Sequence, residues 1–360
     1  MTRRNRPRTA TATLSDVARA AGVSMATASR VLSRSSYGVA EELRDRVQAA
    51  AAELDYVPNA HARALAKASS STIGVVVHDI ADPYFAEIVR GILEVATERD
   101  HLVTICHTGR DSDLELEYLS LLRAQQTEAI VLAASGRDDT EFSERLAQVV
   151  APYTAAGGRL AVIGRHMLDA DAVAPDNIGG GLALGRAVVA RGHRHVGVLS
   201  GPDELTVSKD RLAGFTQALS EAGLELPEDR IVHGHFSREG GAEAMRHMLA
   251  HAPDVTAVFA VNDVMAIGAL SALREAGMIV PDDISLLGFD DIPIARDLEP
   301  PLATVRIPMF ELGATAVRMA LDDPPEDAED DAGPRSTSIP VEVVLRPSLG
   351  RPPARRGRGT

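Results

Sequence analysis

The first sixty-odd positions alternate apolar and polar residues with a helical period. Leu14, Val17, Ala18 and Ala21 fall on one face of a first helix. Gly22 supplies the positive φ that ends a helix, Val23 is apolar and plugs the corner, and Ser24 is suited to cap a second helix. In that second helix Ala28, Val31 and Leu32 face inward, while Met25, Ala26, Ser29 and Arg30 share the opposite face. Two short helices broken at a glycine predict a helix-turn-helix. The break lets the second helix cross the first and enter a major groove, where Arg30 would read a guanine or hold a phosphate. A third helix is expected over 41–54, with Leu43, Val47, Ala50, Ala51 and Leu54 inward. Pro58 then stops any preceding helix, and Asn59 is placed to cap a segment over 60–66 that is too short to be helical unaided.

Beyond a polar linker at Ser69–Thr72 the period changes. Short apolar runs at 73–78, 102–107, 129–133, 160–164, 195–200, 231–234, 257–260 and 284–288 alternate with amphipathic helical stretches. That alternation predicts an α/β body of parallel sheets with helices on both faces, and the length suits two Rossmann-like lobes. An acidic, proline-rich stretch from Asp322 to Pro334 reads as a disordered loop, and one further strand is expected over 339–345.

Charge sharpens the division. The 360-residue chain carries a net −14, yet its first 68 residues hold more Lys and Arg than Asp and Glu. A basic head on an acidic body suits a polyanion-binding module joined to a domain with another task. No apolar run is long enough to cross a membrane, and the basic N-terminus lacks the apolar core of a signal peptide, so the expectation is cytoplasmic. A single cysteine, Cys106, allows no internal disulfide.

Ligands of parallel α/β sheets sit past the carboxyl ends of the strands. The polar and aromatic groups there are Asp82, Tyr84 and Phe85 after the first run, Arg165 after the fourth, Arg211 opening a helix, Phe236, Asn262 with Asp263, and Asp290 with Asp291. Arginine, amide and carboxylate groups with aromatic plates suit a polyhydroxylated ring, such as a sugar. A nucleobase or another small metabolite is the alternative. Asn262 could equally cap a helix, Asp290–Asp291 could be turn residues, and Phe236 could be core. Gly179–Gly181 lacks the Lys-Ser/Thr of a phosphate loop, and the histidine pairs at 193/195 and 233/235 lack a third metal ligand. No nucleophile, acid and base converge, so no cofactor and no enzymatic activity are expected.

The stretches TLSDVARAAGVSMATASRVLS and RDRVQAAAAELDYVPNAHARALA resemble the DNA-binding region of the LacI–GalR family of bacterial repressors. VVVHDIADPYFAEIVRGI, GHRHVGVLSGP, DRLAGF, FAVNDVMAIGAL and ISLLGFDDIP resemble the family's effector domain, itself similar to periplasmic sugar-binding proteins. The resemblance implies a homodimer on a palindromic stretch of double-stranded operator DNA, controlled by a small molecule between the lobes. It implies that Met25 and Ala26 read bases, that Arg30 is a third contact, and that Ser24 and Thr27 lie near phosphate. Paired hinge helices would enter the minor groove with Leu65 as wedge. Arg211, Asn262 and Asp290 are the strongest implied effector contacts, followed by Arg165 and Phe236, then Asp82, Tyr84 and Phe85. Ala40 departs from the family, which has Ser or Thr capping the third helix. The expected organisation is a DNA-binding domain over 1–58, hinge helix and linker over 59–71, effector domain over 72–349 and a disordered basic tail over 350–360. A sugar-binding transport protein is the competing reading, with an α/β enzyme behind it.

Overall fold

The computed structural model describes residues 12–32, 39–56, 70–323 and 333–353. The chain divides into two compact units, Met1–Ser70 and Ser71–Thr360. Asn59 and Leu65 lie outside the described residues, as does the acidic stretch over 324–332.

The head contains α1 (Leu14–Ala21), α2 (Met25–Leu32) and α3 (Glu41–Glu53). Thr13 caps α1 in a reciprocal capping box with Asp16, which satisfies orphan donors at its start. Gly22 takes φ +65° at its end, and Val23 packs on the small core of Val17, Ala18, Ala21, Ala28, Val31, Val47, Ala50 and Ala51. Ser24 Oγ accepts from Thr27 N–H at 3.1 Å and so caps α2. Ala40 precedes α3 without any side-chain cap. Leu54, expected to face inward, is exposed, because α3 ends one residue before it and the chain turns away.

The larger unit builds two parallel sheets. One has the order β11-β5-β4-β3-β1-β2, from strands β1 (Ser70–Val77), β2 (Leu102–His107), β3 (Thr127–Ala133), β4 (Arg159–Ile163), β5 (Asp171–Pro175) and β11 (Ser336–Ile339). The other has the order β7-β6-β8-β9, from β6 (Val196–Ser200), β7 (Ile231–His233), β8 (Ala257–Ala260) and β9 (Ser285–Leu287). Helices α4 (Pro83–Glu98), α5 (Ser112–Ala124), α6 (Thr140–Ala155) and α11 (Met309–Leu321) serve the first lobe. Helices α7 (Asn177–Ala190), α8 (Thr206–Glu221), α9 (Arg238–His251) and α10 (Asp263–Glu275) serve the second. The chain passes between lobes three times: after β5, around β10 (Thr304–Arg306), and between β11 and β12 (Glu342–Val344). β10 and β12 pair antiparallel across two of these passages.

Three helix pairs interlock through glycines. A Cβ on Gly91 of α4 would lie 2.0 Å from Phe310 O, and one on Gly313 of α11 would lie 2.0 Å from Ile88 O. Gly181 and Gly214 do the same for α7 and α8, at 2.3 and 2.0 Å from Arg211 O and Ile178 O. Gly241 and Gly268 do it for α9 and α10. Each helix backbone therefore touches its neighbour where the other has no side chain.

Several sequence expectations need correction. The linker expected at 69–72 is already strand, since β1 begins at Ser70. The strand expected over 339–345 is two strands in different sheets, separated at Pro340, which has no N–H for a ladder. Gly350, placed at the start of a disordered tail, donates to Ser285 Oγ at 3.0 Å. Among the described residues no helix is long and apolar enough to cross a membrane.

Candidate functional site

In the head, the exposed face of α2 presents Met25, Ala26, Ser29 and Arg30, with Thr27 half-buried beside them. Met25 is 55% exposed, which is unusual for a large apolar side chain in so small a unit and suits a contact surface. Ser24 Oγ and Thr27 Oγ1 lie 2.9 Å apart at the helix N-terminus, where a phosphate would meet free backbone N–H groups and the positive helix end.

In the larger unit the expected groups lie past the strand ends, and Arg211 is their centre. Its side chain is 3% exposed. Nε donates to Asn177 Oδ1 at 2.9 Å and Nη1 to Val261 O at 2.7 Å. Nη2 lies 2.8 Å from Asp290 Oδ1, and the guanidinium stacks 4.0 Å from the Phe289 ring centre. The Asp290 contact is close but poorly aligned, so Oδ1 lacks a well-directed hydrogen bond. Burial pushes the Asp290 carboxyl up to about 7, against the pull of Arg211. Burial likewise raises Asp82 and Tyr84.

Asp82 accepts from Tyr84 N–H at 3.0 Å and caps α4, with Pro83 opening the helix. Asn262 accepts from Met265 N–H at 2.8 Å and caps α10. Both are thus helix caps at strand ends, the plain reading and the ligand reading in one position. Phe85 is buried in the core, edge-on to His78 and Tyr84. His78 Nε2 accepts from Ser135 N–H at 2.8 Å, and burial pushes the imidazole down to about 3, so it is neutral. Phe236 is half-buried beneath Arg110, whose guanidinium lies 5.0 Å from the ring centre.

Arg165 lies at the rim, held by two bonds to Asp210 at 2.7 and 3.2 Å. With Arg165, the N-terminus of α8 is tied to the first lobe by Thr206 N–H donating to Gly136 O at 2.9 Å and Asp138 N–H donating to Glu204 O at 2.7 Å. Between the lobes is a cavity of about 30 Å³, lined by residues including Tyr84, Ser135, Gly164, Asn177 and Thr206. That holds a water or two, whereas small-molecule sites usually enclose roughly 300–1,000 Å³. Ligand entry therefore requires the lobes to part or the Arg211 network to move.

Asn177 also lines this cavity, Arg110 and Ser208 lie beside Phe236, and none of the three was singled out in the sequence. Arg110 follows β2 as Arg165 follows β4, so the same rule of looking past strand ends finds it. Asn177 opens α7, where its side chain reads as an ordinary helix start. The histidines at 193 and 195 have structural partners: His193 Nδ1 faces Thr256 Oγ1 at 2.9 Å, and His195 pairs with Asp254 at 2.9 Å. Among the described residues no acidic, histidine or cysteine cluster forms a metal site.

A helix-turn-helix unit attached to a two-lobed α/β domain with a polar cleft defines a regulator that couples DNA contact to a small molecule. Residues 70–346 match the model for periplasmic binding proteins and the sugar-binding domain of the LacI family, and residues 13–59 match that for bacterial regulatory proteins of the lacI family. The chain is 34% identical over 345 residues to the HTH-type transcriptional repressor PurR of Escherichia coli O1:K1 / APEC, covering 96% of this chain and 98% of that protein. A solved CelR–cellobiose complex matches at 31% identity and TM-score 0.67, covering 94% and 99% of the two chains. The Lac repressor dimer bound to operator and the anti-inducer ONPF matches at 27% identity and TM-score 0.78, with the same coverage. The chain belongs to the LacI family of bacterial regulatory proteins: it is a DNA-binding transcriptional regulator with an effector domain, not an enzyme.

Proposed function

We propose that the protein represses transcription as a cytoplasmic homodimer on a palindromic operator, under allosteric control by a sugar bound between the lobes. The observation that carries the effector reading is the buried Arg211–Asp290–Asn177 network at converging strand ends, where a ligand hydroxyl replaces one internal partner with another. Solved relatives described with cellobiose and with ribose support a sugar.

In this reading residues 1–58 bind DNA, the hinge and linker run from 59 to the start of β1, the two-lobed domain from β1 through Gly350 binds effector and partner, and the basic tail follows. Met25 and Ala26 read bases with Arg30 as a third contact and Ser29 on the same face, Ser24 and Thr27 approach phosphate, Asn59 caps the hinge helix, and Leu65 is its minor-groove wedge. Arg211, Asn262 and Asp290 hold the ligand. Arg165 closes the rim, while Phe236, Tyr84, Asp82 and Phe85 shape the walls. Ligand binding rotates one lobe on the other and moves the two hinge segments apart or together. Typical allosteric coupling is about 1–3 kcal/mol, and it is reciprocal, so DNA and ligand alter each other's affinity by the same factor.

The test is selection of binding sites from a random duplex pool by the full chain at two salt concentrations. Enrichment of a palindrome with a C-G step at its centre supports dimeric readout and the Leu65 wedge. Salt-sensitive binding without sequence preference refutes it. In parallel, Asp290→Ala should retain operator binding and lose the effector response; a normal response in that variant removes Asp290 from the site.

A further inference from the structure

Beside Phe236, two buried polar atoms lack a hydrogen-bond partner among the described residues: Arg110 Nη1 and Ser208 Oγ. They come from opposite lobes, Arg110 from the loop after β2 and Ser208 from the first turns of α8. They converge on Phe236, the aromatic plate of the second lobe. The Arg110 guanidinium lies 5.0 Å from the Phe236 ring centre. A Cβ on Gly201 would lie 2.1 Å from Phe236 Cε1 and 2.6 Å from Ser208 Oγ, so these two side chains share the space that glycine leaves.

The other cations named around the cleft each face a carboxylate. Arg211 faces Asp290, Arg165 faces Asp210 and Lys209 faces Asp138. Among the described residues no carboxylate lies in ion-pair contact with Arg110; Asp82 and Asp79 act on it from further off, and Arg137 opposes them. A guanidinium buried without a carboxylate is costly, and the Phe236 face returns only part of that cost.

We infer that the effector carries a carboxylate, as a sugar acid does, which binds Arg110 Nη1 and Ser208 Oγ with its ring against Phe236. This rests on the effector reading above and specifies its chemistry. One guanidinium N–H and one hydroxyl offer two donors, one for each oxygen of a carboxylate. Because the two donors belong to different lobes, the same carboxylate bridges them, and its binding favours one relative position of the lobes.

The test is calorimetric titration of the full-length protein with two matched pairs, D-glucuronate against D-glucose and D-galacturonate against D-galactose. At least one acid should bind about tenfold or more tightly than its neutral partner. A hydrogen bond to a charged group corresponds to roughly a 10- to 150-fold loss when removed, which is the loss expected for that acid in Arg110→Met, with the neutral sugar changed by less than about twofold. Arg110→Lys should keep part of the preference, and Ser208→Ala should lose a smaller part, each with an unchanged melting temperature. A neutral sugar bound as tightly as its acid, or an Arg110→Met loss equal for both, overturns the carboxylate inference and leaves the sugar reading standing. No binding of any of the four by the wild-type protein overturns both.

Discussion

Gly214→Ala sets two effects of opposite sign against each other. Alanine is the better helix former, and replacing a mid-helix glycine is worth about 0.5–1 kcal/mol in an unstrained helix. At Gly214 the new Cβ would lie 2.0 Å from Ile178 O and 2.9 Å from Leu182 N, both backbone atoms of α7. Neither atom is the end of a flexible side chain, so α7 and α8 must part by about 1 Å, an overpacking event that typically costs about 1–3 kcal/mol. The interface that opens holds Leu184 and Phe215, both fully buried. The clash outweighs the propensity gain, and the net loss is about 0.5–2 kcal/mol. For a domain of this size a loss of 1 kcal/mol lowers Tm by about 2–4 °C, so a fall of about 1–8 °C is expected. The same separation stretches the 2.9 Å bond from Arg211 on α8 to Asn177 at the start of α7, so ligand affinity should fall too. The assay is thermal unfolding by circular dichroism beside Gly333→Ala, where a Cβ meets nothing within 4 Å. An unchanged or higher Tm for Gly214→Ala, with Gly333→Ala near wild type, would refute the close-approach argument.

Arg30→Ala should weaken specific operator binding by roughly 1–3 kcal/mol while leaving effector binding intact; unchanged operator affinity in a fluorescence-anisotropy titration removes Arg30 from the interface. Ala40→Ser supplies the cap that α3 lacks and should stabilise the head by about 1 kcal/mol, seen as slower hydrogen exchange of α3 amides; equal exchange rates would show that the cap is satisfied by other means. Burial pushes the Glu115 carboxyl up from 4.5 to about 7. The folded chain therefore keeps a proton that the unfolded chain has released, so this group's contribution to stability falls as pH rises from 4.5 to about 7 and is level above. Glu115→Gln should accordingly be more stable than wild type at pH 8 by an amount on the order of a few kcal/mol, with the difference shrinking towards pH 4. A difference independent of pH would mean that Glu115 is not the titrating group.

The periodic elements of this fold were legible because each carries its own signal. The Gly22 break, Ser24 cap and inward Ala28 and Val31 of the head describe a helix-turn-helix without reference to the rest of the chain. The apolar runs that became β1, β3, β4, β6, β8 and β9 are largely buried strands, and buried parallel strands read as continuous apolar stretches, while β2 and β7 were read although they are part-exposed sheet edges. What escaped were strands with weak local signal. β5 is Asp-Ala-Val-Ala-Pro and β10 is Thr-Val-Arg, and each is held mainly by its neighbours. The interlocking glycines escaped for the opposite reason. Gly91, Gly214 and Gly268 look like weak points in helices until the backbone of a distant helix is seen against them. In the cleft, the residue types at strand ends were readable, as was the Asn262 cap, but other engagements were not: Arg165 is bound to Asp210, and Asp82 doubles as a cap. Arg110 stood at a strand end like the others, and what distinguishes it is an unpartnered Nη1, a property of three-dimensional packing alone.

The adjacency of Asp290 and Asp291 puts the proposed effector contact and the lobe connection on one stretch of backbone. Both residues hold positive φ, 117° and 56°, a conformation that costs a non-glycine residue about 1–3 kcal/mol and persists only where surroundings enforce it. The enforcement is visible on both sides. Asp290 turns to Arg211 in the cleft, while Asp291 lies 2.8 Å from Arg306 and 2.6 Å from Arg346. Arg306 ends β10 and Arg346 follows β12, the antiparallel pair through which the chain passes between lobes. The Asp290 backbone is itself stitched to this passage, its N–H donating to Val305 O at 2.8 Å and its carbonyl accepting from Ile307 N–H at 3.2 Å. In the proposed mechanism, a ligand that draws Asp290 away from Arg211 would act on residues directly bonded to the connection, with no long relay between the binding event and a movement of one lobe on the other. Coupling of this kind requires an element with two arrangements that the ligand biases, and the strained Asp290–Asp291 turn, held from the cleft by one arginine and from the connection by two, is where the proposal places it.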